Sequence, residues 1–184
     1  MPKDSLDQFV TFVKNREASF LMAPVKVTAK ADIPEARLST YALEERSEGQ
    51  VFEVPRWVAE VLEENNLVQV GEEGVETELF RALQREKLQG STQLSQIHKD
   101  IFLKLRRHLL MLRKRGAGDS RYDKVKVNAQ DLITIRLVKM VTLAGYTSQP
   151  EPSTFLSPEE LLLYRQIKEL INQWRKLVLG EEKP

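Results

Sequence analysis

The sequence predicts an α+β fold that is mainly α, with a small N-terminal β-rich unit followed by an α-helical bundle. Three observations carry this reading. Prolines at positions 2, 24, 34 and 55 punctuate the start of the chain, whereas none occurs from Arg56 to Gln149. Short alternating apolar stretches, FLMAPVKVTA, ARLSTYAL and QVFEV, are confined to the proline-bearing part. Beyond Gly74 the apolar residues recur at the helical spacing of three and four instead. The expected division is a small domain over 1–72 and a helical assembly domain over 73–184.

Each element has its own local reason. Ser5 with Gln8 fits a capping box, and Leu6, Phe9, Val10 and Val13 follow at helical spacing, which predicts a short first helix. In PVKVTA, Val25 and Val27 fall on one side, and SEGQ supplies a turn before QVFEV. Pro24 and Pro34 make these read as short or edge strands. Within VFEVPRWVAEVLEENNLVQV the pattern changes at Pro55, a residue suited to the first position of a helix. Trp57, Val58, Val61 and Leu62 then continue a helix to about Asn65, and LVQV before Gly71 offers a last strand.

Four helices joined by short loops are predicted for the remainder, as in a helical bundle. ETELFRALQREKLQ lies between Gly74 and Gly90, and Ser91 or Thr92 can cap a second helix running to about Arg115 and the GAGDS turn. Asn128 with Asp131 starts a third helix that Gly145 ends, and Ser157, Pro158 and Glu160 form a capping box for a fourth, to about Val178. In the second helix Leu94, Ile97, Ile101, Leu105 and Leu112 make one stripe, with Phe102, Leu103, Leu109, Leu110 and Met111 partly off it. In the third, Ile133, Leu137, Met140, Val141 and Ala144 line one face, and Leu132, Ile135 and Val138 another. A single bundle needs one stripe per helix. Phe102, Leu110, Ile135 and Val138 are therefore expected nearer a subunit interface than Leu105 and Leu137.

Composition narrows the function. No apolar run among the 184 residues approaches the ~20 that a membrane span needs, so no membrane association is expected. The absence of cysteine and of a leader-like opening points to an intracellular protein without disulfides. There is no phosphate-binding loop, dinucleotide fingerprint or His-Glu-x-x-His pattern, and the two histidines, His98 and His108, stand ten positions apart. No catalytic residue, cofactor or metal is expected, and the chain does not read as an enzyme.

Charge is balanced in sum, 28 Lys and Arg against 27 Asp and Glu, but not along the chain. Seven acids and no base lie between Trp57 and Phe80, and nine bases with two acids between Lys104 and Lys126, which suggests opposed faces toward different partners. Within the basic segment Arg106, Arg107, Arg113, Lys114 and Arg115 form a possible electrostatic contact surface. With aromatics at 7%, base stacking is not expected, and any DNA contact would be weak and phosphate-directed. A DNA-binding helical regulator using Lys104 to Lys126 is the alternative reading.

Two short motifs carry a resemblance. The segment VPRWVAEVL leads from a strand into a short amphipathic helix, and Asp131, Leu132, Ile135, Arg136 and Lys139 make a DL..IR..K pattern. In this order, a small helix-and-strand unit and then a helical domain, they resemble subunits of the GINS complex of archaeal and eukaryotic replication. In that family the first motif is similar to VPLWLA, and each subunit combines a helical A domain with a small β-rich B domain. The B-like unit comes first here, as in the archaeal subunit corresponding to the eukaryotic pair with B before A. Arg56 stands where that family often has an apolar residue, and no P.W pattern follows Val70. The resemblance implies a non-enzymatic scaffold in a heterotetramer, two copies each of this chain and an A-domain-first paralogue. It implies the MCM helicase and a RecJ-like protein as partners, with primase or polymerase as further contacts, and a cytoplasmic, nucleoid-associated location in an archaeal cell.

Overall fold

In a computed structural model the described residues are 3–114, 120–147 and 150–181. The chain divides into two compact units, Met1–Glu73 and Gly74–Pro184. Among the described residues helices dominate: six of them accompany five short strands, and all five strands lie in the first unit.

The first unit opens with α1 (Lys3–Met22), longer than predicted. Phe20 to Met22 belong to it rather than to a strand, and it stops where Pro24 disfavours a helical Ala23. Ser5 lies inside this helix, and its side chain, read from sequence as a cap, is outside the described residues. β1 (Pro24–Ala29) is the central strand of an antiparallel sheet of order β4-β1-β5, with β4 at Val51–Pro55 and β5 at Val68–Val70. Pro24 suggests a short strand or an edge one, and the six-residue β1 is short but central, so the edge reading does not hold for Pro24. This proline tolerates the centre because it is the first residue of the strand, paired with Pro55 where the ladder ends and no amide hydrogen is required.

Alternation decides which face is covered. Val25, Val27 and Ala29 point to one side of β1 with Phe52, Val54 and Val68 beside them, all buried. They form one core with Val58, Ala59 and Leu62 of α2 (Arg56–Glu64). Pro55 ends β4 and occupies the N-cap of α2, with φ −54° and ψ 142°, not the first helical position. Between β1 and β4 the chain continues as a hairpin arm, bridged at Ile33 and Arg46 and ending in β2 (Ala36–Leu38) and β3 (Tyr41–Leu43). The arm folds back on the core, where Ile33 and Leu43 are buried and Tyr41 meets Trp57 edge to face at 6.3 Å. Arg56 stacks 4.3 Å above the Phe20 ring and bonds Glu72 at 2.6 Å, which gives a charged residue a use at that position.

The second unit holds α3 (Val75–Leu88), α4 (Ile101–Lys114), α5 (Ser120–Ala144) and α6 (Pro158–Leu179). Ion pairs and one hydrogen bond report their senses. Glu78 with Lys104 and Glu76 with His108 pair α3 and α4 in opposite order, so these two are antiparallel. Glu76 with Arg121 and Glu86 with Arg136 advance together, as do Arg136 with Glu160 and Gly145 with Arg175. α5 therefore runs with α3, and α6 with α5. Parallel neighbours need a returning connection, and 13 positions separate Ala144 from Pro158 in the sequence, so the connections are not uniformly short as predicted.

Two helix starts also differ from expectation. α4 begins at Ile101, not near Thr92, because the carbonyls of Gln93 and Ser95 are used by buried cations and residues 91–100 are not helical. α5 begins at Ser120, eight residues before Asn128: nothing between breaks a helix, and Val125, Ala129 and Leu132 bury one continuous stripe. Of the GAGDS turn predicted over 116–120, residues 116–119 lie outside the described residues, and Ser120 is helical rather than part of a turn. The Ser157 capping box is present, with Glu160 N donating to Ser157 Oγ at 3.2 Å and Ser157 N to Glu160 Oε2 at 2.9 Å.

Candidate assembly site

Two features of the helical unit stand apart from an ordinary apolar bundle. The first is a buried group of four charged side chains. Arg136 of α5 is fully buried and uses all five of its donors. Nε and Nη2 donate to the two oxygens of Glu160 at 2.6 and 2.9 Å, and Nη2 also to the Phe155 carbonyl at 2.7 Å. Nη1 donates to Glu86 Oε2 at 2.7 Å and to the Ser95 carbonyl at 3.0 Å. One turn on, Lys139 Nζ spends its three donors on Glu86 Oε1 at 2.7 Å, the Glu86 carbonyl at 2.8 Å and the Gln93 carbonyl at 3.0 Å. Ser95 N and Oγ complete the bonds to Glu86.

Two cations and two carboxylates give this cluster no net charge. Burial alone would push the Glu86 carboxyl up, but the bonds from Lys139 and Ser95 and the Arg136 charge outweigh it, and the carboxyl sits below its ordinary value. Burial also works against the Arg136 guanidinium, and Glu160 and Glu86 together more than reverse that. The cluster ties α3, the segment 91–100, α5 and the cap of α6 to one point. Arg136 and Lys139 belong to the DL..IR..K pattern, so the structure gives that pattern a physical task.

The second feature is apolar surface that the chain does not cover. On α5, Ile133, Leu137, Val138 and Val141 are exposed, while Leu132, Arg136, Met140 and Leu143 face the bundle. This corrects the assignment of Ile133, Leu137 and Val141 to the core face. The burial of Arg136 and Lys139 turns the helix, so Leu132 is at 0% exposure and Leu137 at 39%. Leu110 and Val138, expected near an interface, are 43% and 61% exposed. Phe102 and Ile135 instead lie partly buried against the core of Leu79, Leu83, Leu105 and Leu132. Leu105 is buried as expected, and Leu94 joins a different core with Met140, Leu156 and Tyr164.

Sequence reasoning missed the end of α6. Leu170, Trp174, Leu177 and Val178 are each more than half exposed, although they continue the face on which Leu163, Ile167 and Ile171 are partly buried. The signal was an apolar stripe whose last members, Leu177 and Val178, lie beyond Arg175, which is level with Gly145 at the end of α5.

The charge runs behave differently from the opposed faces expected of them. Glu76 Oε1 meets both His108 Nε2 at 2.9 Å and Arg121 Nε at 2.6 Å, and Glu78 pairs with the buried Lys104 at 3.3 Å. Desolvation raises the Glu76 carboxyl, yet the bonds from His108 and Arg121 bring it below its usual value. Part of the acidic run thus neutralises part of the basic one. Arg106, Arg113 and Lys114 are exposed on α4 and Arg107 is half-buried, while Arg115 lies outside the described residues. Among the described residues no group of three His, Cys, Asp or Glu could hold a metal ion, and no helix is long and apolar enough to cross a membrane.

Residues 62–178 match the Sld5 family, the GINS complex protein helical bundle domain. No curated protein matches the chain.

Proposed function

The chain belongs to the GINS complex protein family, a family of non-enzymatic scaffold subunits in DNA replication, and from that membership we propose how it works. It is a B-domain-first subunit of archaeal type that assembles with its A-domain-first paralogue, two copies of each. The assembled particle joins the MCM helicase and a RecJ-like protein and activates the replicative helicase.

The uncovered apolar residues of α5 and α6 are the observation that carries the assembly reading. Val138 and Trp174, both 61% exposed, belong to helices inside the matched domain. Grouped exposed apolar side chains on a rigid frame mark a protein interface. Lys104 and Arg121 are held by Glu78 and Glu76, which leaves the alternative of a DNA-binding regulator with a smaller basic surface. The test is to co-express the chain with an A-domain-first paralogue and measure the mass of the purified particle by light scattering. A tetramer supports the reading, whereas two species that remain separate refute it.

A further inference from the structure

We propose that Arg175 is a positioning residue that fixes the direction of the end of α6 beyond Ile171, and with it the exposed apolar residues Trp174, Leu177 and Val178. The α6 helix is fastened to α5 by arginine at two levels. Near its start, Arg136 grips Glu160 and the Phe155 carbonyl. Fifteen residues further, about 22 Å along the axis, Arg175 Nη2 donates to the Gly145 carbonyl and Nη1 to Thr147 Oγ1 at 3.3 Å.

Between the two arginines α6 is also held by apolar packing of Tyr164, Ile167 and Ile171. Beyond Ile171 that packing stops, and the apolar residues from Trp174 to Leu179 are exposed. At this level the Arg175 side chain bonds back to the end of α5. Its acceptor is one of the carbonyls that the last turn of a helix leaves without an intrahelical partner, at the negative end of the helix dipole. A cation there is favourable, and the planar guanidinium adds direction that a point charge lacks. Among the described residues these two Arg175 bonds join the last two turns of α6 to the end of α5, so they specify the path of those turns.

The inference deepens the assembly reading, since a stripe can meet a partner only in the pose the partner accepts. Where the docking pose falls to a tenth of the population, apparent affinity falls about tenfold. Its test does not depend on assembly. The chain has no cysteine, so Gln130→Cys and Lys176→Cys, both at exposed positions on α5 and α6, accept spin labels on the full-length protein without background. Double electron–electron resonance should give one narrow distance distribution. Arg175→Ala should broaden it while helix content by circular dichroism is kept, and Arg175→Lys should recover part of the narrowing. An equally narrow distribution in Arg175→Ala overturns the proposal, as does a broad one in the parent. Association with the paralogue is measured separately on the same variants. If no protein associates yet the distances behave as expected, the assembly reading fails and the role of Arg175 stands.

Discussion

Arg136 is the residue with most to lose, because every donor it has is engaged and both its carboxylate partners are buried. Arg136→Met removes the cation and leaves Glu86 and Glu160 desolvated, with Lys139 to neutralise only one of them. Breaking a buried pair from one side costs about 3–5 kcal/mol, so urea unfolding of this variant should show a loss of that size. Acid acts on the same cluster from the other side. The Glu86 carboxyl is held below 4.5 in the folded protein, so as pH falls the unfolded chain takes up its proton first. The stabilisation is present above about pH 4.5 and drains away as the pH drops through the lower, folded value. Glu76 and Glu151 shift in the same direction and add to the slope. Glu86→Gln should be less stable than the parent near neutrality and lose less on acidification, as read from denaturation midpoints across that range. An unchanged slope would mean that Glu86 is not the group responsible.

At the scale of the element, α5 is a helix apolar on nearly every side, and what matters is which side the bundle takes. Leu132→Asp places a charge at a fully buried position and should prevent folding. Val138→Asp lies on the exposed side and should leave circular dichroism and thermal unfolding near those of the parent, while abolishing association with the paralogue. A folded Val138→Asp that still associates would remove α5 from the interface. The positions of the helices after Gly74 were largely legible, since Gly74, Gly145 and the Ser157 box mark ends by local chemistry. The facing of α5 was not. Periodicity treats Arg136 and Lys139 as polar and turns them outward, whereas their partners at Glu86 and Glu160 come from other helices and leave no trace at short range. The same long-range bonds draw residues 91–100 out of a helix that their own pattern favours. Strand placement failed more mildly: alternation located β1, β4 and β5, but a proline at the first residue of a strand says little about which strand lies at the centre.

For the whole molecule, we propose that the two compact units are independent in folding as well as in contacts. The helical unit from Gly74 onward has two apolar cores and the charge cluster within its own residues, so a fragment over 74–184 should be soluble and helical and should still associate with the paralogue. The first unit, with a three-stranded sheet, a two-stranded arm and two helices among the described residues, is near the lower size limit for a lone domain and should unfold at lower denaturant. Insolubility of the helical fragment would show that it depends on the first 73 residues. The charge cluster also bears on heat. Water's hold on ions weakens as temperature rises, so the penalty for keeping Glu86, Arg136, Lys139 and Glu160 away from water shrinks, while the gain from apolar burial levels off. A core centred on charges is thus one whose centre grows relatively stronger on warming.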